Sequence, residues 1–335
     1  LNHTSSAPDS SVPSPASSPE QAPGSSPVWA VLGASGFIGS AICSALAERG
    51  VTVRQVSAPR LSAEGTDAAA LIAAAAALDG ERRRLADAFD GADVVVNAAG
   101  LATPGATDSP KLRGANALLP ALAADAADAA GVRRLVHLSS AAVQGHRPFL
   151  DETGHVEPFS AYSRSKALGE QVLSARDGGS CSVATVRATS VQGPGRATTA
   201  KLARLAASPL ASVAGSGSAP SPVSSVHSLV DFVVRVGFHQ GPVPAVVLQP
   251  WERASVSAVL EAAGGRRPAR LPAWFCRTVL RGGYALSSLA GERLHGSLRR
   301  VEMMWFGQRQ EPGWAESTGN VPEPRVREVL EASRT

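Results

Sequence analysis

Tyr162-Ser-Arg-Ser-Lys166 sets a phenol and an ammonium group four residues apart, on one face of a helix. The tyrosine can pass a proton to or from a substrate oxygen, and the lysine can lower the tyrosine's pKa. Upstream stands the pair Ser139-Ser140. At the C-terminal end of a strand, the Ser140 hydroxyl can hold the reacting oxygen beside Tyr162, with Ser139 competing for that role. A third element is the Gly-rich turn Gly33-Ala-Ser-Gly-Phe-Ile-Gly39. Its glycines let backbone approach a phosphate, and a helix starting near Phe37 adds its positive dipole end. Gly33, Ser35, Gly36, Phe37, Ile38 and Gly39 therefore form the candidate pyrophosphate cradle. Together these parts describe hydride transfer at an alcohol or ketone.

The elements around them supply the context. Val28-Trp-Ala-Val-Leu32 reads as a strand, 38–49 as a helix closed by Gly50, and Val51–Val56 as a second strand. A Gly-rich turn inside strand–helix–strand order carries more weight than the motif alone. Residues 67–78 are almost all Ala and read as a helix. A doubly wound fold places its third strand near here, and no convincing run is present. Asp93–Asn97 is a buried strand ending in Ala98-Ala99-Gly100, 111–130 a long helix, Leu135–Leu138 a strand, 162–175 a helix and Val183–Arg187 a strand. The alternation predicts an α/β fold, a parallel sheet covered on both faces. Segments 226–236 and 245–248 are expected to return to the sheet. Asn116, in the long helix, is expected to bond a backbone group or water near Lys166. Arg187–Gly195 is a strand with a Gly/Pro turn that could pass beside a nicotinamide. His137 reads as structural, His227 less plainly so.

Cofactor type is argued from the end of the second strand. An NAD-binding chain usually places Asp or Glu there to bond the ribose hydroxyls. Here Ser57 stands at that position, followed by Ala-Pro-Arg60, and Arg54 lies just before. No carboxylate repels a 2′-phosphate and two arginines could attract one. NADP is favoured, with NAD possible.

The bulk numbers agree with an enzyme of this kind. The chain has 335 residues, 44% hydrophobic and 4% aromatic, so its core rests on Ala, Leu and Val. A net charge of +4 suits anionic small molecules and is too small to argue for nucleic acid. Cys43, Cys181 and Cys276 lie far apart and form no metal spacing, so no metal is expected. They read as small buried hydrophobes, with a disulfide pair or a nucleophile as alternatives. No apolar run is long enough to span a membrane and no secretory h-region is present, so a cytoplasmic protein is expected. Residues 1–26, mostly Ser, Pro and Ala, read as a disordered tail.

These motifs, as a set and in this order, resemble the extended short-chain dehydrogenase/reductase family of nucleotide-sugar epimerases, dehydratases and 4-ketoreductases. The resemblance covers roughly 28–250. It rests on Gly33–Gly39, Asn97-Ala-Ala-Gly100, Gly131–Ser140, Tyr162–Lys166 and Val191-Gln-Gly-Pro-Gly195. It implies a Rossmann domain over 27–195, with 226–250 returning to it, and a smaller, mainly helical substrate lobe from 196–225 and 251–335. Tyr162 is then the general acid/base, Lys166 its partner and a ribose ligand, and Ser140 the oxygen-binding hydroxyl. Ala98, Ala99, Gly100, Asn116, Ser57 and Arg60 join the cofactor set. The resemblance also implies a homodimer paired through the helices near 111–130 and 162–175. Three departures narrow the activity. Ala141-Ala142 stand where 4,6-dehydratases carry Asp-Glu, which removes the acid and base of elimination. Val143-Gln-Gly145 replaces Val-Tyr-Gly, and Arg187-Ala188 replaces Arg-Pro. The arginine that grips a nucleotide diphosphate is missing near Pro222-Val223; Arg196 or an arginine of the lobe is the expected substitute. The leading expectation is an NADP-dependent keto-sugar reductase. A nucleotide-sugar epimerase, a steroid- or flavonol-type dehydrogenase and a non-catalytic NADP sensor are the alternatives.

Overall fold

The computed structural model describes residues 26–102, 107–176, 178–289 and 294–334. The expected tail, but for its last residue, lies outside them. The described chain begins with β1 (Val28–Leu32), α1 (Phe37–Glu48) and β2 (Thr52–Val56). α2 (Ala68–Ala76), α3 (Asp79–Phe89), β3 (Val94–Asn97), α4 (Pro110–Arg113), α5 (Leu119–Ala129) and β4 (Arg134–Ser140) follow. Next come β5 (Phe149–Leu150), α6 (Ala161–Ser174), β6 (Ser182–Ala188), β7 (Ser190–Gln192), α7 (Ala197–Ala207), β8 (Ser212–Ala214) and β9 (Val223–Ser225). α8 (Val226–Phe238), β10 (Val246–Leu248), α9 (Val256–Gly264), β11 (Ala269–Leu271) and α10 (Ala273–Leu289) lead to α11 (His295–Phe306), β12 (Arg309–Gln310), α12 (Trp314–Ser317) and α13 (Val326–Ala332).

Among the described residues, six strands pair in parallel in the order β10-β6-β4-β3-β1-β2. Strand β1 shows why its sequence suits the centre. Trp29 and Val31 pack toward α1 and α8, Ala30 and Leu32 toward α3 and α5, and all four are buried. A strand covered on both faces needs such an unbroken apolar run. The result is a doubly wound α/β sheet, whose ligands bind beyond the C-terminal ends of its strands. The glycine turn follows β1, Ala98–Gly100 follows β3, and Ser140 ends β4. All three therefore face one crevice.

One gap in the sheet agrees with the sequence, and one segment departs from the expectation. The third strand is absent because 57–67, rich in Ser, Ala, Pro and Gly, lacks a β-branched run, which leaves β2 at the sheet edge. The chain instead crosses to α2, capped by Asp67, which accepts from the Ala70 amide at 2.9 Å. Leu71 and Ala75 of α2 pack on Ala121, Leu168 and Val172 of α5 and α6. This is the face expected to pair across a dimer, and the chain's own α2 covers it. Segment 226–236 is not a strand either. Leu229, Val230, Val233, Val234 and Gly237 recur at helical spacing behind the Ser225 cap, and α8 packs on the sheet and α1. Only β10 returns to the sheet.

Beyond β6 the helices α7, α9 and α13 share a small core of Ala206, Val259, Leu260 and Leu330. Helices α10 and α11 pair through Cys276, Leu280 and Trp305. Among the described residues no helix is long and apolar enough to cross a membrane.

Candidate active site

Each glycine of the turn after β1 has a distinct steric reason. Gly33 takes φ +85°, and a Cβ there would lie 2.7 Å from the Ala99 nitrogen. At Gly39 a Cβ would lie 2.1 Å from the Gly33 oxygen, so only glycine lets α1 start this close to the turn. A Cβ on Gly36 would meet only the Gly33 oxygen, at 3.3 Å, and its outer side is open. Gly36 is the N-cap of α1 with no side-chain cap, and the first turn of α1 carries no acid. Its amides stay available to an anion, so the cradle fits a dinucleotide pyrophosphate. Ser35 is exposed on the turn, while Phe37 and Ile38 are half-buried.

Beyond β4 the two serines separate. Ser139 is buried and donates to Glu170. Ser140 accepts from the Ala142 amide at 3.2 Å. Burial raises the pKa of the Tyr162 phenol, opposed by the Ser140 hydroxyl and by the Arg196 charge. Arg196 was not foreseen as a charge acting on the phenol. The Lys166 ammonium donates to the Leu138 carbonyl at 2.8 Å. Burial lowers its pKa to about 8 against the opposing charge of Glu170.

Asn116 lies in a π-helical turn, Gly114–Leu118, between α4 and α5. One extra residue in the turn re-aims its side chain inward. It donates to the Leu101 carbonyl (3.0 Å) and the Ser165 hydroxyl (2.9 Å), and accepts from the Leu101 amide (2.9 Å). The loop after Ala98, Ala99 and Gly100 is thereby tied to α6. A Cβ on Gly100 would stand 2.8 Å from Asn116 Oδ1 and 3.2 Å from Lys166 Nζ. His137, beside Asn97 in the β3–β4 register, is fully buried with both ring nitrogens unpartnered. Burial and then the Lys166 charge hold it neutral, whereas His227 is exposed on α8.

The turn 193–196 closes over the cradle. A Cβ on Gly193 would meet the Phe37 ring at 2.6 Å, and the Arg196 guanidinium carbon lies 5.0 Å from that ring's centre. Arg196 also donates to the Val191 carbonyl at 2.5 Å. At the end of β2 the two arginines differ. Arg54 donates to the carbonyls of Ala88 (3.0 Å) and Asp90 (2.6 Å), so its guanidinium is committed away from a 2′-phosphate. Arg60 is exposed, with no hydrogen bond or ion pair to a described residue, and Ser57 is exposed beside it.

Sequence reasoning missed the group beneath the site. Arg187 and Glu170 form a fully covered ion pair, Nη2 to Oε2 2.7 Å, and Arg187 also donates to the carbonyls of Asp151 and Thr153. The signal for Glu170 was present: it stands four residues after Lys166, one further turn along the same face. Gln144, in place of the expected tyrosine, is buried and exchanges hydrogen bonds with Asp151 at 2.6 and 2.9 Å. Among the described residues no group of three or more His, Cys, Asp and Glu could hold a metal, and the three cysteines are free and buried.

The profile of the NAD dependent epimerase/dehydratase family matches residues 29–236. The 4-hydroxy-2-methyl-3-oxo-4-farnesyl-3,4-dihydroquinoline-1-oxide ketoreductase of Stigmatella aurantiaca is 33% identical over 162 residues, 47% of this chain and 48% of that protein. The match spans about half the length of that curated relative. MoeE5 in complex with UDP-glucose and NAD aligns with TM-score 0.60 at 22% identity, covering 91% of this chain and 96% of that one. The human epimerase family protein SDR39U1 (isoform 2) with NADPH aligns with TM-score 0.63 at 20% identity, covering 92% and 99%. At these identities the structural likeness speaks for the fold alone.

Proposed function

Because the chain belongs to the NAD dependent epimerase/dehydratase family, as an enzyme of the extended short-chain dehydrogenase/reductase type with a nicotinamide dinucleotide cofactor, we propose that it is an NADPH-dependent ketoreductase of a small-molecule substrate. The observation that carries this reading is the placing of Ser140, at the end of β4, and Lys166, bonded to the Leu138 carbonyl, at the sheet end that also holds the glycine cradle, with Tyr162 one helical turn before Lys166.

When bound, the nicotinamide supplies the hydride. Ser140 and Tyr162 hold the carbonyl oxygen. The buried phenol keeps its proton at neutral pH and donates it to that oxygen, which completes a two-electron reduction to a secondary alcohol. Arg196 stabilises the phenolate left behind. Lys166 is the ligand for the ribose hydroxyls, and Asn116 holds the loop against which that ribose would rest. Preference for NADPH rests on Arg60, unpaired beside Ser57, and on the missing carboxylate. Net reduction is preferred to epimerisation on the same ground, and Ala141-Ala142 supply no acid–base pair for a dehydratase.

For the substrate, an apolar cyclic ketone comes first. The Stigmatella aurantiaca relative is a ketoreductase of a farnesylated quinoline oxide, and Pro222-Val223 offer no guanidinium to a nucleotide diphosphate. A keto-sugar free of nucleotide is the second reading, favoured by the Arg196 donors beside Tyr162.

The test is NADPH oxidation with panels of apolar cyclic ketones and keto-sugars, for wild type and Tyr162→Phe. Loss of about 100-fold or more in kcat with NADPH affinity kept is expected. Unchanged turnover in Tyr162→Phe would leave the reductase without its acid.

A further inference from the structure

Between Glu261 and Glu292 the sequence holds five arginines and no acidic residue, more positive charge than the +4 of the whole chain. Arg266, Arg267, Arg270, Arg277 and Arg281 are all exposed. Glu261 stands 3.7 Å from Arg267 in a solvent-exposed pair.

Helix α10 runs through this segment and is apolar on two sides. Cys276, Leu280 and Ser287 are buried toward α11. On the outward side Phe275, Val279, Gly282, Leu286 and Leu289 recur at helical spacing, with Trp274 beside them. Trp274 is 70% exposed, Leu286 63% and Leu289 88%. Of the ten large hydrophobics exposed among the described residues, six fall within 274–294, so this is one patch rather than scatter. Arg281 stands round the helix from the stripe on its polar side, and Arg277 lies further round, its guanidinium carbon 5.4 Å from the centre of the Phe306 ring of α11.

An outward stripe of Trp, Phe and Leu edged by arginines, with no acid, is the composition of a helix that lies in a lipid–water interface. The aromatic and aliphatic side chains enter the acyl boundary while the guanidinium groups reach the headgroups. A second copy of the chain fits less well. A two-fold contact through this face would bring Arg281 toward its own copy with no carboxylate on α10 to meet it. We propose that the outward face of α10 docks the protein on an anionic membrane surface, in plane and without crossing it. The proposal is independent of the redox reading, since α10 carries no residue of the candidate active site.

The experiment is co-sedimentation of the full chain with vesicles of phosphatidylcholine mixed with phosphatidylglycerol, and with phosphatidylcholine alone. Binding to the mixed vesicles at least about tenfold tighter than to the neutral ones, weakened by added salt, is expected. Leu286→Ser with Leu289→Ser should lose about tenfold or more in binding while NADPH affinity and circular dichroism stay unchanged. The proposal is overturned if the full chain stays in the supernatant with mixed vesicles, or if the double variant binds them as well as wild type. It is equally overturned if the double variant instead converts a dimer to a monomer by sedimentation and wild type binds no vesicle.

Discussion

Arg196 lies over the Phe37 ring, 5.0 Å from guanidinium carbon to ring centre, and its charge acts on the Tyr162 phenol. One side chain thus spans from the cofactor turn to the proton donor. Removing its charge should raise the phenol's pKa. In the oxidation direction, which needs the phenolate, Arg196→Ala should move the acid limb of the kcat profile, where the phenol is still protonated, to higher pH and lower kcat about tenfold or more. Arg196→Lys should restore part of both. A limb that stays in place would remove Arg196 from the chemistry.

Lys166 predicts a pH dependence. With its pKa near 8, the ammonium is lost as pH rises past that value, and NADPH affinity should fall with it. Fluorescence titration of NADPH binding on either side of pH 8 measures this; a flat affinity would mean that the charge does not hold the cofactor. Stability of the cofactor-free protein should move the other way. The folded lysine titrates near 8 and the unfolded one near 10.5, so between these values the unfolded chain binds more protons and stability rises with pH. The full effect is about 3 kcal/mol. Above pH 10 the Tyr162 phenol, raised by burial, opposes it, because the unfolded tyrosine loses its proton first and stability then falls with pH.

Glu170 and Arg187 form a covered pair, 6% and 0% exposed. Arg187→Met leaves the carboxylate with Ser139 as its remaining strong partner and should cost about 3–5 kcal/mol. Urea unfolding followed by tryptophan fluorescence reads this as a lower midpoint. A loss under about 1 kcal/mol would show that the pair is not a determinant of the fold beneath the site.

The two inner glycines should separate fold from binding. Gly39→Ala places a Cβ 2.1 Å from the Gly33 oxygen and should lower the unfolding temperature as well as cofactor affinity. Gly36→Ala meets only one oxygen at 3.3 Å and should leave the unfolding temperature nearly unchanged. Its methyl faces the open side of the cradle, so NADPH affinity should drop about tenfold or more. Equal thermal losses in both variants would contradict this division.

Arg60→Ala should weaken NADPH about tenfold and leave NADH unaffected, because the lost charge faces only a 2′-phosphate. Arg54→Ala should change neither ratio, since its donors are tied to the carbonyls of Ala88 and Asp90. Calorimetric titration of both cofactors measures the ratio. Tighter NADH than NADPH in wild type would reverse the cofactor preference.

The amino-acid sequence by itself determined the parts whose geometry is local. Tyr162 and Lys166 share a face because a helix repeats every 3.6 residues. Gly39 sits where it does because the start of α1 against the turn has room for nothing larger, and the apolar runs of β1, β3 and β4 announce a sheet covered twice. Tertiary structure decided whatever joins elements distant in the chain. The missing third strand was legible in 57–67, but the laying of α2 over α5 and α6 was decided by the packing of Leu71 on Leu168 and Val172 rather than by any local pattern. Segment 226–236 was expected in the sheet because a short valine-rich run suits a strand as well as a buried helix, and its packing against α1 and the sheet made it helical. The partners of Glu170, Asn116 and Arg196 were likewise hidden, since Arg187, Leu101 and Phe37 approach them only when the sheet is assembled. Periodicity fixes which way a side chain faces along its own element, whereas the group it meets depends on how elements pack.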